Sequence, residues 1–458
     1  MNSAGPKQMR PFNDIGWGEP QITQIRMENG PPRHHLLGGL KPTLRLGIFI
    51  VCVLSRVGLA APSPSTSPTG PAPSGVEGYA IKAGKILTVT QGTINHGVVL
   101  VEGKVIKAVG TAAEIAIPKD YTVIDASDKW VMPGMVEIHS HVGTEGGFND
   151  MVTPINPELR AMDNINPEAW ELKCAVSAGV TTIHTIPGSG TNLAGFGVLF
   201  KPYGGTVDRM IIRELGSMKI AQAYNPERRG GDLGRTRMGM SWMLRDFLRK
   251  AKEYTLAWQA YQKGQRSDRP KEKPELEQAR CAFEGAIPTL VHTADARDVM
   301  ATARIFCDEF HLWTIVSHGC FDGYKAAKEM AKRPVHVNLG PCHYDFRFSQ
   351  DNKVYGMAAE YASAGVKSLS INTDAIGPEQ DELFFEAAMA ARLGLDEKMA
   401  LEAVTINAAR AIGIENRVGS IEVGKDADLI IKGGSLLDPT IPVDMVFVNG
   451  KVAYRRQQ

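Results

Sequence analysis

Cysteine is scarce in this chain, with six among 458 residues, and no two stand in CxxC spacing. One of them, Cys52, lies in an N-terminal apolar run. The other five, Cys174, Cys281, Cys307, Cys320 and Cys342, are an odd set that argues against a disulfide framework, and most of them read as buried small hydrophobes. An excess of either charge is missing too: 51 Lys plus Arg face 50 Asp plus Glu, for a net charge of +1. That balance argues against nucleic acid or a membrane surface as a partner. The apolar run Leu46 to Leu54 is too short to cross a bilayer as a helix and lies in a signal-like segment, so no stable membrane insertion is expected after signal cleavage. What the chain does have, 43% hydrophobic residues and 47 glycines, suits a globular α/β protein with many turns.

The first part of the chain reads as three segments. Residues 1–43 are polar, rich in Pro and Gly and without hydrophobic period, and are expected to be disordered. Residues 44–61 run from basic through apolar to small, the order of a signal peptide, which predicts export to the periplasm or the exterior. Met27 is then a candidate for the true start. Residues 62–76 are rich in Pro, Ser and Thr and form a linker.

From Glu77 the texture changes to short β-branched segments with Glu102-Gly103 as a tight turn, and the C-terminus repeats it with Asn449-Gly450 as a hairpin signal. Neither end has enough strands to bury a core. Residues 77–132 and 417–456 are therefore expected to build one small β-sandwich domain together. Between them, over residues 133–416, apolar strands alternate with helical patterns, which predicts a parallel sheet closed as a (β/α)8 TIM-type barrel. A stripe at helical spacing, Met243, Phe247, Ala251, Tyr254, Trp258 and Tyr261, reads as a helical cover or a subunit contact in a homo-oligomer.

Val131 to Gly143 ends in two histidines at i and i+2, which a strand turns to the same face. Strand ends further along collect His184, His292, His318 and Asp374. Buried polar groups need partners, and convergence on a divalent metal ion supplies one. Arg228, in a loop with Arg229, Arg235 and Arg237, is a candidate clamp for a substrate carboxylate. His184 and His343 are placed to hydrogen-bond a substrate carbonyl.

Pro-Gly-Met-Val-Glu-Ile-His-Ser-His, Gly179-Val-Thr-Thr, His292, His318, Asp374 and the tail Val418 to Leu429 together resemble the amidohydrolase superfamily, nearest its imidazolonepropionase-like and dipeptidase-like members. The resemblance implies that His139, His141 and Asp374 bind one ion and that His292 and His318 bind a second or orient substrate. Catalytic roles then fall to Asp374 as proton shuttle and to His318. It also implies a bridging carboxylated lysine, for which Lys201 is preferred over Lys219. Tyr224 stands where relatives look to carry an acidic residue, which leaves one or two ions open, and it is placed with the substrate. The implied activity is hydrolysis of a small amide, cyclic amide or dipeptide-like substrate by water activated on a divalent ion, zinc being the natural match to imidazole. Deamination on the same scaffold, or a catalytically weak binding protein, are the alternatives.

Overall fold

The structure, a computed structural model, describes residues 78–222, 225–228, 236–341, 343–345 and 351–457. The expected extension (1–43), signal peptide (44–61) and linker (62–76) lie outside the described residues, as do Tyr224, Arg229, Arg235 and Cys342. Among the described residues no helix is long and apolar enough to cross a membrane.

Four strands open the described chain: β1 (Gly78–Leu87), β2 (Thr93–Glu102), β3 (Val105–Thr111) and β4 (Thr122–Pro133). The middle supplies β5 (Met135–Ser140), β6 (Val180–Thr185), β7 (Leu193–Phe196), β8 (Val198–Phe200), β9 (Ile211–Arg213), β10 (Met218–Ala221), β11 (Thr289–His292), β12 (Thr314–His318) and β13 (Val335–Leu339). Two short pieces, β14 (Tyr344–Asp345) and β15 (Tyr355–Gly356), precede β16 (Leu369–Ile371). The C-terminus adds β17 (Leu429–Lys432), β18 (Val443–Val448) and β19 (Lys451–Arg455).

The two ends share a single seven-stranded sheet in the order β19-β18-β17-β4-β1-β2-β3, where two facing sheets were expected. β4 and β17 are its seam, antiparallel from Leu429 opposite Pro133 to Lys432 opposite Trp130. Asn449 and Gly450, at φ 49° and 73°, make the β18-β19 turn, because a two-residue hairpin turn of matching twist needs positive φ at both positions. Ile81, Ile86, Val99, Val131, Leu429 and Phe447 bury one face of this sheet.

In the middle, hydrogen bonds give a six-stranded sheet, β16-β13-β12-β11-β10-β7, and a four-stranded one, β5-β6-β8-β9. β5 lies parallel to β6, and β10, β11, β12, β13 and β16 lie parallel to one another. The stretch holding β7 and β8 departs from the expected all-parallel ring: β7 runs antiparallel to β10, and β8 antiparallel to β6. The connection between β6 and β7, residues 186–192, is too short for a parallel crossover, which needs a dozen or more residues, so the chain doubles back. Gly197 separates β7 from β8, and a Cβ there would stand 2.4 Å from His184 Nε2. Among the described residues no ladder joins β5 to β16, so the hydrogen bonds do not trace the closed barrel expected from the alternation. Single bonds cross that gap instead, including His141 N–H to Ala375 O at 2.8 Å.

The aromatic stripe lies on the helix Arg237–Gln262, and Phe247, Ala251, Tyr254 and Trp258 pack in one cluster with Phe196, Met218, Ile220 and Val291. This helix covers the outer side of β7, β10 and β11.

Candidate metal centre

The parallel strands deliver their polar side chains to one end. His139 sits near the end of β5, His292 and His318 close β11 and β12, and Asp374 follows β16 by three residues. His318 and Asp374 adopt φ of 71° and 51°. Non-glycine residues rarely hold that left-handed backbone, and it clusters where surrounding structure forces a side chain into a site.

Two groups of ligating atoms, each drawn together within 4.8 Å, share one member: His139 with His292 and His318, and His139 with His141 and Asp374. His139 Nε2 lies 3.2 Å and His141 Nε2 3.3 Å from Asp374 Oδ1. The His139 and His292 rings stand 4.3 Å and 4.4 Å from the His318 ring, centre to centre. Phe148 stacks on His141 at 4.5 Å and walls the site on that side.

The outer nitrogens are held by the protein. His141 Nδ1–H donates to Ile186 O at 2.8 Å, and His318 Nδ1–H to Gly340 O at 2.6 Å. Each bond keeps the proton on Nδ1 and leaves Nε2 a bare lone pair, the arrangement found in metal-binding histidines. His318 Nε2 and His292 Nδ1 are buried without a hydrogen-bond partner, which a buried polar atom tolerates poorly. The donor set therefore fits a divalent cation. Burial pushes the His139 and His292 pKa values well below the ordinary histidine value, so both rings are neutral and free to ligate. Burial pushes the Asp374 carboxyl up, but His318, His139 and His141 outweigh it and hold it well below the usual carboxylate range.

Of the two lysines weighed as a bridge, Lys219 reaches this cluster, with Nζ 3.2 Å from His139 Nε2. It is fully buried, and burial pulls its pKa down to about 7 against the pull of Asp374. Lys201, the preferred one, is placed elsewhere: its ammonium pairs with Asp428 and, at 3.2 Å, with Asp426, beside β17. Lys201 as a metal ligand is thereby corrected, because two carboxylates already hold its charge.

Two of the substrate candidates, His184 and His343, are engaged by protein groups. His184 is satisfied at both nitrogens, by Ile138 O at 3.0 Å and Ser217 Oγ at 3.2 Å, so its expected contact with a substrate carbonyl has no free ring atom. His343 Nδ1 pairs with Glu386 at 2.8 Å. Arg228 lies in the short turn Pro226–Arg228 beyond β10, and Arg237 is taken by Asp298 and by Glu227 at 2.8 Å.

Glu137 was not singled out in the sequence, although period-2 alternation sets it on the His139 face of an otherwise apolar strand. Fully buried, it accepts from the N–H of His139 at 2.8 Å and from the N–H and hydroxyl of Thr373 at 2.8 and 2.9 Å.

Residues 272–453 match the model of the amidohydrolase family. Over 392 residues the chain is 24% identical to amidohydrolase tasK of Hapsidospora irregularis, a match covering 78% of this chain and 40% of that protein. It is 31% identical over 111 residues to an imidazolonepropionase of Fusobacterium nucleatum, covering 22% of this chain and 27% of that one. The chain thus spans less than half the length of these curated relatives. Among solved structures it is similar to an amidohydrolase from Thermotoga maritima, with 28% identity, a TM-score of 0.75, and coverage of 82% of this chain and 100% of that one. The resemblance to the amidohydrolase superfamily is shown by these matches together.

Proposed function

We propose that this chain is a metal-dependent hydrolase of a small amide, cyclic amide or dipeptide-like carbon–nitrogen bond, working on two divalent ions, zinc by the chemistry of the ligands. The observation that carries the reading is the pair of ligand groups sharing His139. His139, His141 and Asp374 would hold one ion, and His292 and His318 the other. A bound ion lowers the pKa of water to near neutral and polarises the substrate carbonyl.

The remaining work falls to the chain. Asp374, ionised and fixed between two imidazoles, accepts the proton that the attacking water gives up and passes it to the leaving nitrogen. Lys219, with a pKa near 7, is substantially a neutral amine at neutral pH and can add to carbon dioxide, releasing a proton and forming a carbamate whose two oxygens would bridge the ligand groups. Phe148 covers one face of the His141 ring.

Metal analysis of the purified chain, alongside a screen of N-acyl amino acids, dipeptides and cyclic amides, tests the reading. Bound metal and turnover of a small amide are expected. Asp374→Asn should fold, keep at least one ion and lose about 10²- to 10⁴-fold in turnover. A wild type that binds no metal, or an Asn variant with unchanged turnover, would overturn it.

A further inference from the structure

A continuous line of hydrogen bonds leaves the cluster through the interior of the strands. His139 Nδ1 meets Ser317 Oγ at 2.5 Å, and Asn338 Nδ2–H donates to the same oxygen at 3.3 Å. The Ser370 hydroxyl donates to Asn338 Oδ1 at 2.8 Å; His336 Nε2 lies 2.7 Å from Ser370 Oγ, and His336 Nδ1 2.7 Å from Ser368 Oγ. Strand register builds this line: Ser317 stands opposite Asn338 and Asn338 opposite Ser370 on three adjacent parallel strands. Every member from His139 to Ser370 is buried, and Ser368 at the far end is exposed.

Such a line could move protons or hold groups in place, and Asn338 decides between the two. A carboxamide passes a proton only through its imidic acid form, so the line is broken as a proton path. As a holding device it is consistent from end to end. Ser370 spends its one proton on Asn338, so it accepts from His336, which therefore carries its proton on Nε2 and accepts at Nδ1 from Ser368. Burial pushes the His336 pKa down to about 3, in keeping with a neutral ring that has a single N–H. With its acceptor end occupied, Asn338 turns its donor end to Ser317, whose hydroxyl holds His139 Nδ1; as a metal ligand through Nε2, His139 carries its proton on Nδ1 and donates it to that hydroxyl. Nε2 of His139 is then left to the site.

We propose that Ser317 and Asn338 are positioning residues for metal binding, which act through His139 by holding its ring with the Nε2 lone pair turned to the ion that His139 would ligate. The proposal rests on the reading of His139 as a metal ligand. Partners of this kind typically change metal affinity by about 10- to 100-fold.

Zinc affinity of the metal-stripped full chain, measured by competition with a chromophoric chelator, tests it, with the Tm of the same samples read in parallel. Ser317→Ala should bind zinc about 10- to 100-fold more weakly, Ser317→Thr, which keeps the hydroxyl, should restore most of the loss, and Asn338→Leu should weaken binding less than Ser317→Ala. Ser317→Ala with wild-type zinc affinity overturns the positioning role, even if its Tm falls, and leaves the hydrolase reading standing. A wild type that binds no zinc overturns both.

Discussion

Glu137 and Thr373 are joined twice across the gap between β5 and β16, through the Thr373 N–H at 2.8 Å and its hydroxyl at 2.9 Å, both to Glu137 Oε2. The other carboxylate oxygen accepts the His139 N–H. One side chain therefore ties the backbone of a metal-ligand candidate to the residue beside Asp374, where no strand ladder does so.

Glu137→Ala leaves these donors buried without an acceptor. An orphaned buried polar group costs about 1–3 kcal/mol, so a loss of about 3 kcal/mol or more in unfolding free energy is expected from urea denaturation. A loss under about 1 kcal/mol would show that the tie contributes little.

His139 is common to both ligand groups, whereas His141 and His292 each belong to one. With Nδ1 held by Ser317, His139 has one lone pair to give, so His139→Ala and His141→Ala should each cost the ion they hold with Asp374, and His292→Ala the other, as counted by elemental analysis. Full metal occupancy in His139→Ala and His141→Ala would contradict the assignment.

Lys201 is buried against Asp428 and Asp426. Removing one partner of a buried pair strands the other charge, at a cost of about 3–5 kcal/mol. Lys201→Met should lower the Tm markedly while the metal stoichiometry of the folded protein stays at the wild-type value. Loss of metal without loss of stability would return Lys201 to the site.

His336 is held neutral by burial, with its pKa down at about 3 against the ordinary 6.5. The unfolded chain takes up this proton below the ordinary value and the folded chain does not. Stability from this group is thus fully present above pH 6.5 and falls as the pH drops towards 3. One proton is worth about 1.4 kcal/mol per pH unit. Urea denaturation at several pH values from 4 to 7 should show a shallower acid slope for His336→Gln than for wild type; parallel slopes would contradict this.

Local chemistry was legible in the chain. Asn449-Gly450 makes the β18-β19 turn through its own backbone preferences, and the His139 and His141 spacing brings both rings together at the end of β5. His292, His318 and Asp374 stood out because polar residues ending apolar runs need partners. Lys201 and Lys219 look alike in sequence, each a lysine in an apolar run. They differ in what stands opposite them, and the partner of Lys201, Asp428, lies 227 residues away.

By itself, then, the sequence determined the ligand types, the turns and the alternation of faces, because these depend on a few neighbouring residues and the geometry of one strand. Only the tertiary structure decided which lysine meets His139, that the stretch after β6 doubles back antiparallel, and that Glu137, Ser317 and Asn338 stand behind the ligands. Those relations depend on strand order and register between segments far apart in the chain, where a shift of one residue would turn every side chain to the opposite face.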